Sequence, residues 1–427
     1  MGLKDIITPL DRISQKKKKV LVLSNGHGED LIALRVIEAL HHLNHELKLE
    51  VLPLVGEGKT FSKAIANQWL VKKGISKRLP SGGFSNQSLR GFLADITAGL
   101  ICVTWKNWLV VRNAAKNGSF ILAIGDLLPL FFAWSSGGLY AFLGTPKSDY
   151  TWVSAQRQSF SDYYHRFKGT EWDPWECYLM QDVRCKVVAV RDQLTARSLR
   201  MKRIRAMACG NPMMDGLGHM QCPLSLKSFR RLILLCGSRM PEAMRNFKRL
   251  LLAIEQIERN TPFLILVAIG AEPSLIELCD YLSRVGYRKE PSFEQGLSSD
   301  ACFEKKGLKI VIGVGKFVEW SRFAEVGIAN AGTATEQLVG LGVPCVSLPG
   351  DGPQFKYAFA TRQSRLLGGA VIPCKSPKQM AQIIPVLLRQ SKFRDSLSLV
   401  GKKRMGPAGG SKALAKLILN SFVVNIQ

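Results

Sequence analysis

The chain has 427 residues, enough for two domains of ordinary size, and 46% of them are hydrophobic, so each half can build a core. Its 59 Lys and Arg against 33 Asp and Glu leave a formal charge of +26 and a pI of about 9.8, a surface that attracts nucleic acid or an anionic membrane face. There is no low-complexity tract or solenoid repeat, and the ten cysteines are scattered singly without a CxxC pair, which excludes a disordered chain and a disulfide framework and places the protein in a reducing, cytoplasmic setting.

In chain order, Lys16 to Lys19 precede an apolar run over 20–23 that is too short for a signal-peptide core and reads as a first strand. Further strands are expected over 49–54, 120–124, 139–143, 187–190 and 206–209, then over 231–235, 263–269, 309–312, 326–329, 344–347 and 369–372. Their alternation with helical patterns is the signature of parallel α/β architecture. The nearly uncharged stretch 120–144 is broken by Asp126, Pro129 and the Gly137-Gly138 pair, so it reads as strand, helix (127–134) and strand rather than as a membrane span. Residues 89–111 form one or two apolar helices, either a membrane-docking stripe or buried core. Residues 148–181 carry Trp152, Tyr163, Tyr164, Phe167, Trp172, Trp175 and Tyr178 with little period, and read as an inserted loop packed by its own aromatics. The Gly-, Pro- and Met-rich stretch 210–228 is the expected hinge. Domains are expected over 18–215 and 228–400, with a C-terminal helix over 401–427.

The basic residues lie in patches, including Lys72, Lys73, Lys77 and Arg78, Arg197 to Arg205, and Lys402 to Arg404. None forms an arginine-rich arm, and no zinc-finger or RNP signature is present, so an anionic membrane surface is expected as partner and nucleic acid is not.

Two strand–loop–helix joints in the second half carry ligand chemistry. The run over 232–236 delivers Gly237, Ser238, Arg239 and Glu242 to a helix over 243–257. Small residues let the backbone approach a ligand, and arginine offers phosphate a planar fork of donors. A structural Arg239–Glu242 pair is the alternative. Residues 326–329 lead through Asn330 and Ala331 to Gly332, Thr333, Ala334, Thr335 and Glu336, which open another helix. Its first N–H groups suit a diphosphate, and Glu336 is placed to accept from sugar hydroxyls. Gln354, near the start of a helix over 354–367, is a further donor-side candidate. In the first half, Asn25, Gly26, His27, Gly28, Glu29 and Asp30 follow the first strand, and Asp126 follows the strand over 120–124. As a dinucleotide fingerprint the first of these loops is incomplete, because Leu31 stands at the third glycine position.

These residues resemble GT-B glycosyltransferases, and among them the lipid-A-disaccharide synthase-related proteins. Gly237-Ser238-Arg239-x-x-Glu242 is similar to the GSRxxE motif of lipid-A-disaccharide synthases, Gly210-Asn211-Pro212-Met213-Met214-Asp215 to their G-[HN]-P-x-x-D stretch, and Gly332-Thr333-Ala334-Thr335-Glu336 to their SGTATxE helix start. The resemblance runs from Val20 to about Ile372. Ala331 stands where the synthases have serine, Glu336 comes one residue early, and Asn25 to Asp30 replace a GExSGD loop. The resemblance implies two doubly wound Rossmann-like domains facing a cleft. It also implies a UDP-sugar donor, a lipid-linked acceptor of lipid A or other glycolipid biosynthesis, and inverting, metal-independent hexosyl transfer without a cofactor. The enzyme would sit peripherally on the inner face of the membrane. A UDP-sugar epimerase of the same fold is the alternative.

Glycosyl transfer needs a stabilised leaving diphosphate and a deprotonated acceptor hydroxyl. None of the fifteen aspartates has another two positions away, so the Asp-x-Asp pair that commonly holds a cation is missing, and Arg239 with the helix N-termini is expected to carry the leaving charge. All six histidines lie before residue 220, so the base is sought in the first half. Asp126 and His27 are the two candidates for the catalytic base; Asp126 is the expected one, with a helix N-cap as its alternative role. His27 is expected at the acceptor or the donor phosphate, and Asn25, Gly26, Gly28, Glu29 and Asp30 on the acceptor side.

Overall fold

The computed structural model describes residues 18–423, apart from 77–98, 155–159, 219, 259–260, 292, 294–295 and 351–354. The described residues divide into two compact units, the first drawn from 18–147, 172–212 and 411–423 and the second from 148–171 and 213–410.

The first unit is built on β1 (Lys19–Ser24), β2 (Lys48–Pro53), β3 (Leu70–Lys72), β4 (Phe120–Gly125), β5 (Tyr140–Gly144), β6 (Cys185–Val190) and β7 (Ala206–Met207). They form a seven-stranded parallel sheet in the order β3-β2-β1-β4-β5-β6-β7. The central strands are apolar along most of their length because helices cover both faces of such a sheet. Leu21, Leu23, Ile121 and Phe142 are fully buried, with Trp172 edge-on to Phe142. The order runs outward from β1 to β3 on one side and from β4 to β7 on the other, so the topological switch lies between β1 and β4. Ligands of doubly wound sheets bind at the carboxyl ends of the strands beside such a switch.

Helices in this part of the chain are α1 (His27–Leu43), α2 (Ser62–Ala66), α3 (Leu100–Lys116), α4 (Leu127–Ser135), α5 (Tyr150–Val153), α6 (Phe160–Lys168), α7 (Pro174–Gln181) and α8 (Gln193–Met201). The described part of 148–181 is therefore largely helical rather than an aromatic-packed loop. Asp173 and Glu176 form a capping box around Pro174 and start α7. The aromatics separate instead of packing on one another: Trp172 is fully buried in the first unit, whereas Phe160 and Phe167 of α6 are exposed.

The second unit holds β8 (Arg230–Leu235), β9 (Phe263–Ile269), β10 (Arg288–Glu290), β11 (Ala301–Lys305), β12 (Leu308–Val314), β13 (Val326–Ala329), β14 (Cys345–Ser347) and β15 (Val371–Pro373). Their order is β10-β11-β12-β9-β8-β13-β14-β15, with the switch between β8 and β13. The β10–β11–β12 edge is antiparallel, unlike the parallel pattern expected throughout. Lys306 and Gly307, with φ of 49° and 75°, make a two-residue turn of the kind that joins twisted antiparallel strands. The helices here are α9 (Glu242–Glu255), α10 (Leu275–Arg284), α11 (Phe317–Trp320), α12 (Thr333–Gly340), α13 (Tyr357–Leu366), α14 (Pro377–Arg389) and α15 (Ser391–Met405), whereas α16 (Gly410–Val423), from its second residue on, belongs to the first unit. The expected single helix over 401–427 is two, because Gly406 ends α15 at a φ of 74° and Pro407 follows it. No helix among the described residues is long and apolar enough to cross a membrane.

Candidate functional site

In the first unit the loops after β1 and β4 flank the switch, and both carry residues singled out in the sequence. Ser24, at the end of β1, donates to Asp30 Oδ1 across 2.6 Å, and both are buried. Asn25 donates from Nδ2 to Asp126 Oδ1 at 2.8 Å. Asp126 also caps α4, accepting from the Leu128 N–H on the same oxygen at 3.2 Å. The N-cap role weighed for Asp126 is thus real, and the geometry leaves room for a second one. Glu29 sits in the first turn of α1 and accepts from the Thr145 hydroxyl at 3.4 Å. Thr145, just past β5, went unnoticed in the sequence.

Gly125 makes this packing possible. Its φ is 132°, and a side chain there would put its Cβ 3.0 Å from Asn25 Cβ and 3.6 Å from Glu29 Cγ. Burial pushes the Glu29 carboxyl up to about 7, and the negative charges of Asp126 and Asp30 add to it. Asp30 and Asp126 are raised too, chiefly by burial, while hydrogen bonds from Ser24 and Leu128 respectively hold them back. The unit thus holds, beside its switch, a carboxyl that exchanges protons near neutral pH. Such tuning is what general acid–base chemistry needs. Asn25 and Gly26, the N-cap of α1, end the loop, and Gly28 and Glu29 lie in the first turn of α1; the side chain of His27, the first residue of α1, lies outside the described residues.

In the second unit the loops after β8 and β13 flank the other switch. They touch: Gly237 has a φ of 93°, and a Cβ on it would lie 3.2 Å from the Asn330 carbonyl. Ser238 is exposed and Arg239 partly so, just ahead of α9, whose Ala243 N–H donates to the Arg239 carbonyl at 2.8 Å. No side chain caps α9, and Oε1 of Glu242 is buried without a hydrogen-bond partner. The start of α12 likewise has no side-chain cap: Gly332 is its exposed N-cap, followed by Thr333, Ala334, Thr335 and Glu336 in the first turn. Uncapped N–H groups at a helix start are a ready anion site.

Two buried amides fix this loop. Asn330 donates to the Leu348 carbonyl at 2.7 Å and accepts from the Leu348 N–H at 3.0 Å. Gln363, in the middle of α13, donates to the carbonyls of Ala331 and Gly332, each at 3.2 Å. A glutamine inside a helix carries no sequence signal for that task. Gln354 lies outside the described residues, and α13 starts at Tyr357 rather than at 354. No group of His, Cys, Asp and Glu suited to hold a metal occurs among the described residues.

No protein-family model matches the chain, and no curated protein matches it. Solved structures do. A Listeria monocytogenes protein assigned as a UDP-N-acetylglucosamine 2-epimerase superposes with a TM-score of 0.58 at 13% identity, over 96% of this chain and 97% of the other. The glycotransferase of kitacinnamycin gives 0.56 at 14%, over 95% and 99%. The UDP-GlcNAc 2-epimerase of Neisseria meningitidis, bound to UDP-GlcNAc, gives 0.52 at 13%, over 94% and 100%. At such identities the likeness is one of fold. The chain has the architecture of two α/β units with parallel-strand sheets, the GT-B fold, that UDP-GlcNAc 2-epimerases and glycosyltransferases have in common.

Proposed function

We propose that the protein is an enzyme acting on a UDP-sugar. In this reading the second unit binds the nucleotide diphosphate at Gly237–Glu242 and Gly332–Glu336, and the first unit supplies acid–base chemistry from Asp126 and Glu29. One observation carries it: the two loop pairs picked from the sequence each flank the switch point of their own sheet, where ligands of this architecture bind.

The finer reading is hexosyl transfer to a lipid-linked acceptor at an anionic membrane surface, and it rests on the three motifs similar to those of lipid-A-disaccharide synthases. A second reading, epimerisation of the UDP-sugar itself, is favoured by two observations. Several of the structures of similar fold are UDP-GlcNAc 2-epimerases. In addition, burial raises both the Glu29 and the Asp126 carboxyl, and removing and returning a proton at a carbon needs an acid and a base. A proton NMR time course over a panel of UDP-sugars tests both. Release of UDP marks transfer or hydrolysis, and a new UDP-sugar with no free UDP marks epimerisation. If every UDP-sugar stays unchanged and unbound, the proposal fails.

A further inference from the structure

We infer that the first unit docks on an anionic lipid bilayer through the face formed by α3, α4 and α7. The inference rests on the membrane part of the proposed reading and not on its chemistry. Ile101, Trp105 and Leu109 recur every four residues along α3, and Ile101 and Trp105 are 64% and 60% exposed. The described part of the apolar stripe is therefore no buried helix; Asn107 and Val111 are its buried positions. Phe131 of α4 and Trp175 and Tyr178 of α7 are also exposed.

Aromatic contacts join these helices into one face. Trp105 stacks on Trp108 at 4.9 Å, and Trp108 donates from its indole N–H to Ser135 Oγ at the end of α4. Phe131 then lies 6.0 Å from Trp134, and Trp134 lies 6.5 Å from Tyr178. A water-facing surface has no use for such a ladder of large rings, whereas the headgroup zone of a bilayer is where tryptophan and tyrosine gather.

Charge selects the kind of partner. α3 carries Lys106, Arg112 and Lys116 and no acid, and α4 carries no charge at all. The single acid of α7, Glu176, is buried and paired with Lys147. Asp182, just past α7, is held by Arg184 and by the Trp134 indole. A face of exposed rings and cations, whose nearby carboxylates are already neutralised, fits anionic headgroups and repels none of them.

Sedimentation with vesicles of phosphatidylglycerol and phosphatidylcholine, against phosphatidylcholine alone, tests this at low and high salt. The wild-type chain is expected to sediment with the anionic vesicles, less so at high salt. Ile101→Ser with Trp105→Ser should lower the partition coefficient roughly tenfold, since membrane affinity scales with buried apolar area. Phe160→Ser with Phe167→Ser, on α6 of the second unit, should leave it unchanged. Both pairs of residues are exposed, and circular dichroism checks the fold of each variant. Binding by the α3 variant equal to wild type, loss only in the α6 variant, or no binding of wild type to anionic vesicles would each overturn the inference. UDP binding measured on the same samples reports on the enzymatic reading separately.

Discussion

Asn25 and Asp126, 101 residues apart in the chain, meet at 2.8 Å beside the β1–β4 switch, the amide donating to the carboxylate that also caps α4. The bond fixes the loop after β1 against the loop after β4. It also separates two roles for Asp126, because asparagine caps a helix about as well as aspartate but cannot take a proton. Asp126→Asn should keep the fold and the affinity for UDP while lowering turnover by ~10²–10⁴-fold, the usual worth of a general base. Near-normal turnover in that variant, with collapse in Glu29→Gln, would pass the proton to Glu29; collapse in His27→Ala would pass it to His27.

Glu29 gives the protein a pH dependence of stability. Its carboxyl is raised from 4.5 to about 7 by burial and by its acidic neighbours, so the folded state binds the proton more tightly than the unfolded state does. Stability is therefore greatest below the unfolded value and falls as pH rises from about 4.5 to 7, by roughly 3 kcal/mol if Glu29 acts alone. The raised values of Asp30 and Asp126 work in the same direction. Urea unfolding from pH 5 to pH 8 should show this slope, and Glu29→Gln should flatten it and be the more stable protein at pH 8. A variant with the wild-type slope would mean that Glu29 is ionised at ordinary cost.

Gln363 offers a test of the α12 loop from outside the loop. Its amide holds the carbonyls of Ala331 and Gly332, and each such bond is worth about 0.5–1.5 kcal/mol net. Gln363→Leu should lower the stability by about 1–3 kcal/mol and, if the start of α12 binds the diphosphate as proposed, weaken UDP binding by roughly 3- to 10-fold, because the loop that carries its N–H groups is no longer held. Lower stability with unchanged UDP affinity would leave the α12 start a structural joint.

Much of this architecture is legible in the residues, and what is not has physical reasons. The central strands declare themselves as continuous apolar runs because both faces of a parallel sheet are covered. β3 and β10 do not: Leu70–Lys72 and Arg288–Glu290 are three-residue edge strands with largely exposed side chains. The loops at the switches announce themselves through small residues after a strand, but which strands flank a switch is a matter of sheet order, set by long-range packing. Thr145 could have been found by asking which residue follows the strand beside β4. Gln363 and the shared packing of Asn25, Gly125 and Glu29 depend on side-chain contacts between distant segments, and no local pattern records them.

The glycine at 237 is a further check on the touching loops. A methyl group there meets both a φ of 93° and the Asn330 carbonyl at 3.2 Å. Gly237→Ala should cost about 1–3 kcal/mol of stability, the usual toll of a residue forced into that backbone region, and should weaken UDP binding with it. Wild-type stability in thermal unfolding would show that the loop has room to move.

Calorimetric titration of UDP into the wild-type chain and into Arg239→Ala tests the central claim most directly. The account predicts saturable binding to the wild type and affinity lower by roughly 10- to 150-fold in the variant, the equivalent of about 1.5–3 kcal/mol for a charge-assisted hydrogen bond to the diphosphate. The absence of UDP binding by the wild type would contradict it. So would a folded Arg239→Ala protein that binds UDP as well as the wild type does.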